Sequence, residues 1–150
     1  MTAVSNLAAH AGYWLRMVSN AVSHDFARKV AAEGVTVAEW TLMRALYDHQ
    51  AMAPTVLARK MGMTKGAISK LADRLLEKGL LARQDNPGDR RAHSLALTAL
   101  GRSKVPVLAA LADANDAEYF GVLTLKERGD LDRILKTLAE KRGLTSVPVD

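Results

Sequence analysis

The sequence predicts one domain, mainly α-helical, with a single small β-hairpin. Three observations carry that expectation. Apolar residues recur at helical spacing through most of the 150 residues. Threonine caps and glycine stops fall at the ends of those stretches. Once only, between Leu80 and Leu97, helical spacing gives way to alternation around an Asn86-Pro87-Gly88-Asp89 turn.

The first helix is predicted over Leu7–Ala32, a stretch without proline and with only Gly12. Leu7, Ala11, Trp14, Val18, Ala21, Val22 and Val30 mark its apolar side. It should stop near Gly34, since glycine accepts positive φ at a helix end. Thr36, with Glu39 three residues on, then forms a capping box. Trp40, Leu42, Met43, Leu46 and Tyr47 are the stripe of the second helix, which ends near His49. Pro54 suits the start of a short third helix, because its missing N–H would be unpaired there anyway. That helix carries Val56, Leu57, Ala58 and Met61, and Gly62-Met63 turns the chain.

Thr64 caps a fourth helix that runs to about Lys78. Ile68, Leu71, Ala72, Leu75 and Leu76 form one apolar stripe on it. Lys65, Gly66, Ser69, Lys70, Asp73, Arg74 and Glu77 occupy its other faces, and Gly79 ends it. Leu80–Gln84 and Ala92–Leu97 read as the strands of the hairpin, with Arg90 and Arg91 near its tip. Thr98 caps a fifth helix, in which Pro106 should force a kink or a break. Thr124 and Glu127 form a second capping box. The sixth helix behind it presents Leu125, Leu131, Ile134, Leu135 and Leu138 and ends at Gly143.

Composition narrows the chemistry. Forty-nine per cent of residues are hydrophobic and 25% charged, which fits a soluble globular chain and excludes a disordered or collagen-like one. No run of eighteen apolar residues is present, so no transmembrane helix is expected. The first residues lack a basic region followed by an apolar block, so no secretory signal is expected either, and the expected location is the cytoplasm. Cysteine is absent. That removes disulfides, thiolate metal sites, cysteine nucleophiles and thiol redox sensing together. His10, His24, His49 and His93 are scattered and form no zinc-ligand pattern. No glycine-rich phosphate loop follows a strand, and neither Ser69 nor Ser94 has a histidine and carboxylate pattern nearby. No catalytic residue, metal or cofactor is therefore expected.

The charge is concentrated. The net charge is +5, and the window Arg59–Arg91 holds nine basic and four acidic residues, while the rest of the chain is balanced at twelve of each. Such a window is either a solvated face or a segment that binds a polyanion, where Lys and Arg displace counterions from phosphates. The helices decide between these. A short helix, a tight glycine-containing turn and a longer helix with a polar outer face make a helix-turn-helix. Gly66 and Ala67 permit close approach at the start of the longer helix. Lys65, Ser69 and Lys70 can donate to phosphates or base edges. The basic hairpin directly behind has the shape of a wing, able to place a guanidinium in a narrow minor groove.

At this point the residues resemble a family. Thr36-Val37-Ala38-Glu39-Trp40, Leu57-Ala58-Arg59-Lys60-Met61-Gly62-Met63-Thr64, Leu75-Leu76-Glu77-Lys78-Gly79-Leu80, Asp85-Asn86-Pro87-Gly88-Asp89-Arg90-Arg91-Ala92 and Leu97-Thr98-Ala99-Leu100-Gly101 resemble the successive motifs of the MarR family of bacterial regulators. The likeness runs from about Leu7 to Arg142. It implies a winged helix-turn-helix lobe over about 36–98, flanked by dimerisation segments over about 5–33 and 99–142. The first, fifth and sixth helices would interlock in an obligate homodimer. The resemblance implies double-stranded DNA as partner, read at a near-palindromic operator, and repression relieved by a small aromatic or phenolic effector.

Residue by residue, it places the recognition helix at Thr64–Lys78. Thr64, Lys65, Gly66, Ser69, Lys70 and Arg74 would face DNA, joined by Arg90 and Arg91 from the wing. Arg91 matches the arginine that enters the minor groove, and Asp89 would hold the wing by pairing with an arginine. Tyr13, Trp14, Met17, Trp40, Met43 and Tyr47 lie on helices that in the family line an effector cavity, although ordinary core is the simpler expectation for them.

Two other classes stay open. A small enzyme would use the basic window to hold an anionic substrate, but it needs an acid, base or nucleophile constellation that is not found. A winged-helix adaptor for other proteins, without DNA binding, would be expected to lack the basic residues on the recognition face and wing.

Overall fold

A computed structural model describes residues 3–86 and 88–145, the side chains of 89–92 excepted. Six helices and one hairpin follow in the expected order: α1 (Ala11–Ala31), α2 (Val37–Tyr47), α3 (Pro54–Met61), α4 (Lys65–Glu77), β1 (Leu81–Asn86), β2 (Asp89–Leu97), α5 (Ala99–Phe120) and α6 (Leu125–Lys141).

The caps form as the sequence requires. Thr36 and Thr124 each accept from the backbone N–H three residues on, and Glu39 and Glu127 accept in return from the threonine N–H. Thr64 and Thr98 cap α4 and α5 through their side chains alone. Gly62 closes α3 with φ 62°, a left-handed conformation that side chains with a Cβ rarely adopt.

Two expectations are corrected. The first helix does not run unbroken from Leu7. Leu7–Ala9 form a single 3-10 turn, His10 is extended at φ −100° and ψ 127°, and α1 begins at Ala11. The Trp14 indole N–H donates to the Ala8 carbonyl at 2.8 Å and so folds the turn back onto the helix. Pro106 does not interrupt α5, which is continuous from Ala99 to Phe120. Pro106 lies on the exposed side of that helix, where the carbonyl deprived of its donor can be hydrated. The strands also extend further towards the turn than their alternation indicates.

One core occupies the middle of the chain. Leu42, Met43 and Leu46 of α2, Leu57 of α3, Ile68 and Leu75 of α4, Leu95 of β2 and Leu108 of α5 are all but inaccessible to solvent. Side chains of this size each contribute roughly 1.5–3 kcal/mol on burial. The hairpin is antiparallel, with Leu81 opposite Leu97 and Asp85 opposite His93. Its register then jumps, so that Asn86 faces Asp89. Met52 and Leu95 exchange both backbone hydrogen bonds at 2.9 Å, which ties the α2–α3 connection to β2.

Polar contacts join α1 to α5. Asn115 is buried; its amide N–H donates to the Val22 carbonyl, and its Oδ1 accepts from Lys29 at 2.7 Å. Lys29 also reaches Glu118, and the Tyr119 hydroxyl bonds Asp25 and the Ala21 carbonyl. By contrast α6 buries no residue, and α1 buries only Val30.

Candidate nucleic-acid interface

The fourth helix divides cleanly into two faces. Ile68, Leu71, Ala72 and Leu75 are buried against α2 and α3, while Thr64, Lys65, Gly66, Ser69, Lys70, Asp73, Arg74 and Glu77 are exposed. The side chains of Lys65, Ser69, Lys70 and Arg74 make no hydrogen bond or ion pair to the described residues. Four groups able to donate hydrogen bonds, three of them cationic, therefore face outwards along one helix. All six residues expected on this helix are exposed: Gly66, Ser69 and Lys70 sit opposite the buried stripe, Lys65 and Arg74 on its two flanks, and Thr64 at the cap.

Two ties fix the helix. Arg83 of β1 pairs with Asp73 at 3.2 Å and links the helix to the wing strand. At the C-terminal end of the helix, the Lys78 ammonium donates to both Glu39 carboxylate oxygens and to the Gly34 carbonyl, each at 2.9 Å. Glu39 is fully buried and also accepts from the Thr36 N–H at 2.8 Å. Burial alone would raise its pKa; the Lys78 ammonium and the Thr36 N–H overcome that and hold the carboxyl below the ordinary glutamate range.

The Glu77-Lys78-Gly79-Leu80 and Leu97–Gly101 segments meet in space. Thr98 N–H donates to the Leu80 carbonyl at 3.1 Å, and the Thr98 hydroxyl to the Gly79 carbonyl at 2.6 Å. A Cβ at Gly101 would lie 2.1 Å from the Leu80 oxygen, so only glycine lets α5 start there. The hairpin is thereby seated at its base. Asp89, Arg90 and Arg91 fall in β2 just after the turn. Their side chains lie outside the described residues, so the wing-arginine and wing-support assignments rest on the motif.

The aromatic and methionine residues divide. Met43 is core, and Trp40 and Tyr47 pack half-buried against it. Tyr13, Trp14 and Met17 are 38%, 50% and 46% exposed, which corrects the expectation that they are core. A cleft with apolar walls lies elsewhere. About 510 Å³ opens between the end of α1, the α1–α2 connection and α4. Ala27, Val35, Ala67 and Leu71 line it, with Lys70 and Arg74 also at its wall. No residue named for an effector from sequence lines this cleft. It draws on three separated segments, and no local pattern marks it. Among the described residues there is no group of three or more potential metal ligands and no helix long and apolar enough to cross a membrane.

A short helix, a turn, an outward-facing polar helix and a hairpin seated behind it define a winged helix-turn-helix protein. A family model described as the MarR family matches residues 33–92. Over 145 residues the chain is 29% identical to a protein named for regulation of the hcr operon in Thauera aromatica, covering 96% of this chain and 87% of the relative. It is also 29% identical over 126 residues to the transcriptional repressor MdtR of Bacillus subtilis, covering 84% and 81% of the two chains. A mutant MarR of E. coli, solved in complex with operator DNA, shares the fold with a TM-score of 0.74 at 23% identity, over 85% of this chain and 91% of that one. The matched segment takes in the helix-turn-helix and most of the hairpin, and the two relatives, similar over most of this chain, are named for transcriptional regulation.

Proposed function

We propose that this protein is a homodimeric, cytoplasmic repressor that binds a near-palindromic double-stranded DNA site and leaves it when a small molecule binds. The observation that carries this reading is the outer face of α4, where Lys65, Ser69, Lys70 and Arg74 stand exposed beside a hairpin that bears Arg90 and Arg91. Lys65, Lys70 and Arg74 neutralise phosphates or read base edges in the major groove, with Ser69 between them. Arg91 extends into the minor groove, where A·T-rich DNA has the most negative potential. The relatives named for regulation and repression, and the operator complex of a protein with the same fold, support the same class.

The dimer is supported by apolar residues without a cover. Leu125, Ile134, Leu135 and Leu138 of α6 and Trp14, Leu15 and Met17 of α1 are exposed in the single chain. The segments over about 5–33 and 99–142 would form the dimer and leave 36–98 as the DNA-binding lobe. Tyr13, Trp14 and Met17 fit that covered surface better than a pocket within one subunit. Two-fold symmetry then sets half-site centres about 10 bp apart.

The effector fits the α1–α4 cleft. Its apolar walls and its two cations suit a small apolar anion such as an aromatic carboxylate. Lys70 and Arg74 line the cleft and also face DNA, so an anion held there competes directly with phosphate.

A gel shift on a duplex from the protein's own promoter region, at several salt concentrations, tests the reading. Binding should fall steeply with salt. Lys70→Ala and Arg74→Ala should each weaken binding and, where they touch phosphate, reduce the salt slope by about one. Folding stability should stay within about 0.5 kcal/mol, because both side chains project from the surface. A shift that ignores salt and both substitutions would refute the reading.

A further inference from the structure

Gly66 sits on the outer face of α4, one residue into the helix, between Lys65 and the Ser69–Lys70 pair. Nothing inside the protein asks for glycine there. Its φ is not positive, unlike that of Gly62 or Gly79. A Cβ built on it would meet only the Thr64 Oγ1, at 4.0 Å, which is ordinary contact. Gly101 shows the opposite case, with a backbone oxygen 2.1 Å from where its Cβ would stand. Glycine in a helix is also less favourable than alanine, since it loses more backbone freedom on folding. The fold therefore carries a local cost at Gly66 that no internal contact explains.

We propose that Gly66 is a steric specificity determinant, the point at which the bare backbone of α4 packs against the edge of the bases in the major groove. The inference rests on the DNA-binding reading and sharpens it. Ser69 and Lys70, one turn further on, lie on the same side of the helix, so the missing Cβ sets how deep their hydrogen-bonding atoms reach. A methyl group at Gly66 would hold the helix away from its cognate site. Non-specific binding does not need that depth, because it depends on phosphate charge at longer range.

The test uses the full chain and the duplex that the wild-type protein enriches from a random-sequence pool, with a scrambled duplex of the same composition as control. Gly66→Ala should raise the melting temperature by roughly 2 °C. It should weaken binding to the enriched duplex about tenfold, as expected for a methyl forced into a packed contact. Binding to the scrambled duplex should not change. Gain of stability with loss of cognate affinity is not the signature of a merely structural residue. Equal affinity of wild type and Gly66→Ala for the enriched duplex would overturn the proposal while leaving DNA binding in place. An equal loss on both duplexes would overturn the specificity role. Failure of the wild type to enrich any duplex would overturn the DNA-binding reading and this inference with it.

Discussion

Helices α4 and α6 have much the same design and opposite surroundings. Each starts at a capping threonine and carries an apolar stripe opposite charged residues. The stripe of α4 is buried against α2 and α3, and four of its residues are out of solvent. The stripe of α6 faces water, and none of its residues is buried. Amphipathic spacing thus says that a helix will cover something, without saying whether the cover lies in the same chain. In α4 the apolar side is satisfied within the chain, so its polar side is the one left open to a partner. In α6 the apolar side itself is the unmatched surface.

The same substitution on the two helices should separate them. Leu75→Ala opens a cavity in the core and should cost about 3 kcal/mol in urea unfolding, whatever the protein concentration. Leu138→Ala should cost an isolated subunit almost nothing. Its effect should appear as a dimer that dissociates at higher concentration in light scattering. If both act alike and independently of concentration, α6 packs within its own subunit and the contrast fails.

A smaller loss is expected where the hairpin is seated. Gly101→Ala drives a methyl against the Leu80 carbonyl and should destabilise the lobe by about 2 kcal/mol, read in the same unfolding experiment. A change below the experimental error would mean that α5 can slide on the hairpin base.

The least of the three effects concerns pH. The Glu39 carboxyl is held below its ordinary value of 4.5. A depressed carboxylate contributes stability that is fully present above the unfolded value and is lost as pH falls through the folded one. As pH falls from about 6 to about 3 the wild type should therefore lose more stability than Glu39→Gln. Parallel curves for the two proteins would show that the Lys78 pairing does not favour the ionised form.

Much of this was legible in the sequence, because capping and stripe formation depend on neighbours three or four residues away. Thr36 with Glu39, Pro54, Gly62, Thr64 and Gly79 mark the helix ends without help from the rest of the chain. Of the kink or break expected at Pro106 the break does not occur, because the rule for proline in helices ignores where the freed carbonyl points. His10 was missed because nothing in its composition opposes helix; the break is fixed by the Trp14 bond back to Ala8. Glu39 was legible as a cap and not as the partner of Lys78, which lies 39 residues away. The family motif contained Lys78, but only the structure supplies the physical reason for it. The outer face of α4 followed directly from its inner face.

The attachment of α4 has a mechanical consequence. Lys78 ties the end of this helix to Glu39 and Gly34, and Gly79–Leu80 beyond it is bonded to Thr98. The side-chain bond at its beginning is local, from the Ala67 N–H to Thr64. Pivoted at its Lys78 end, against the packing of Ile68 and Leu71, the helix would act as a lever about 20 Å long. A tilt of about 5° there moves the Thr64–Gly66 end by nearly 2 Å, for a rise of about 1.5 Å per residue. That displacement exceeds the range over which a hydrogen bond holds its geometry. A small wedge in the cleft beside Lys70 and Arg74, near the middle of the lever, would thus be magnified at the tip.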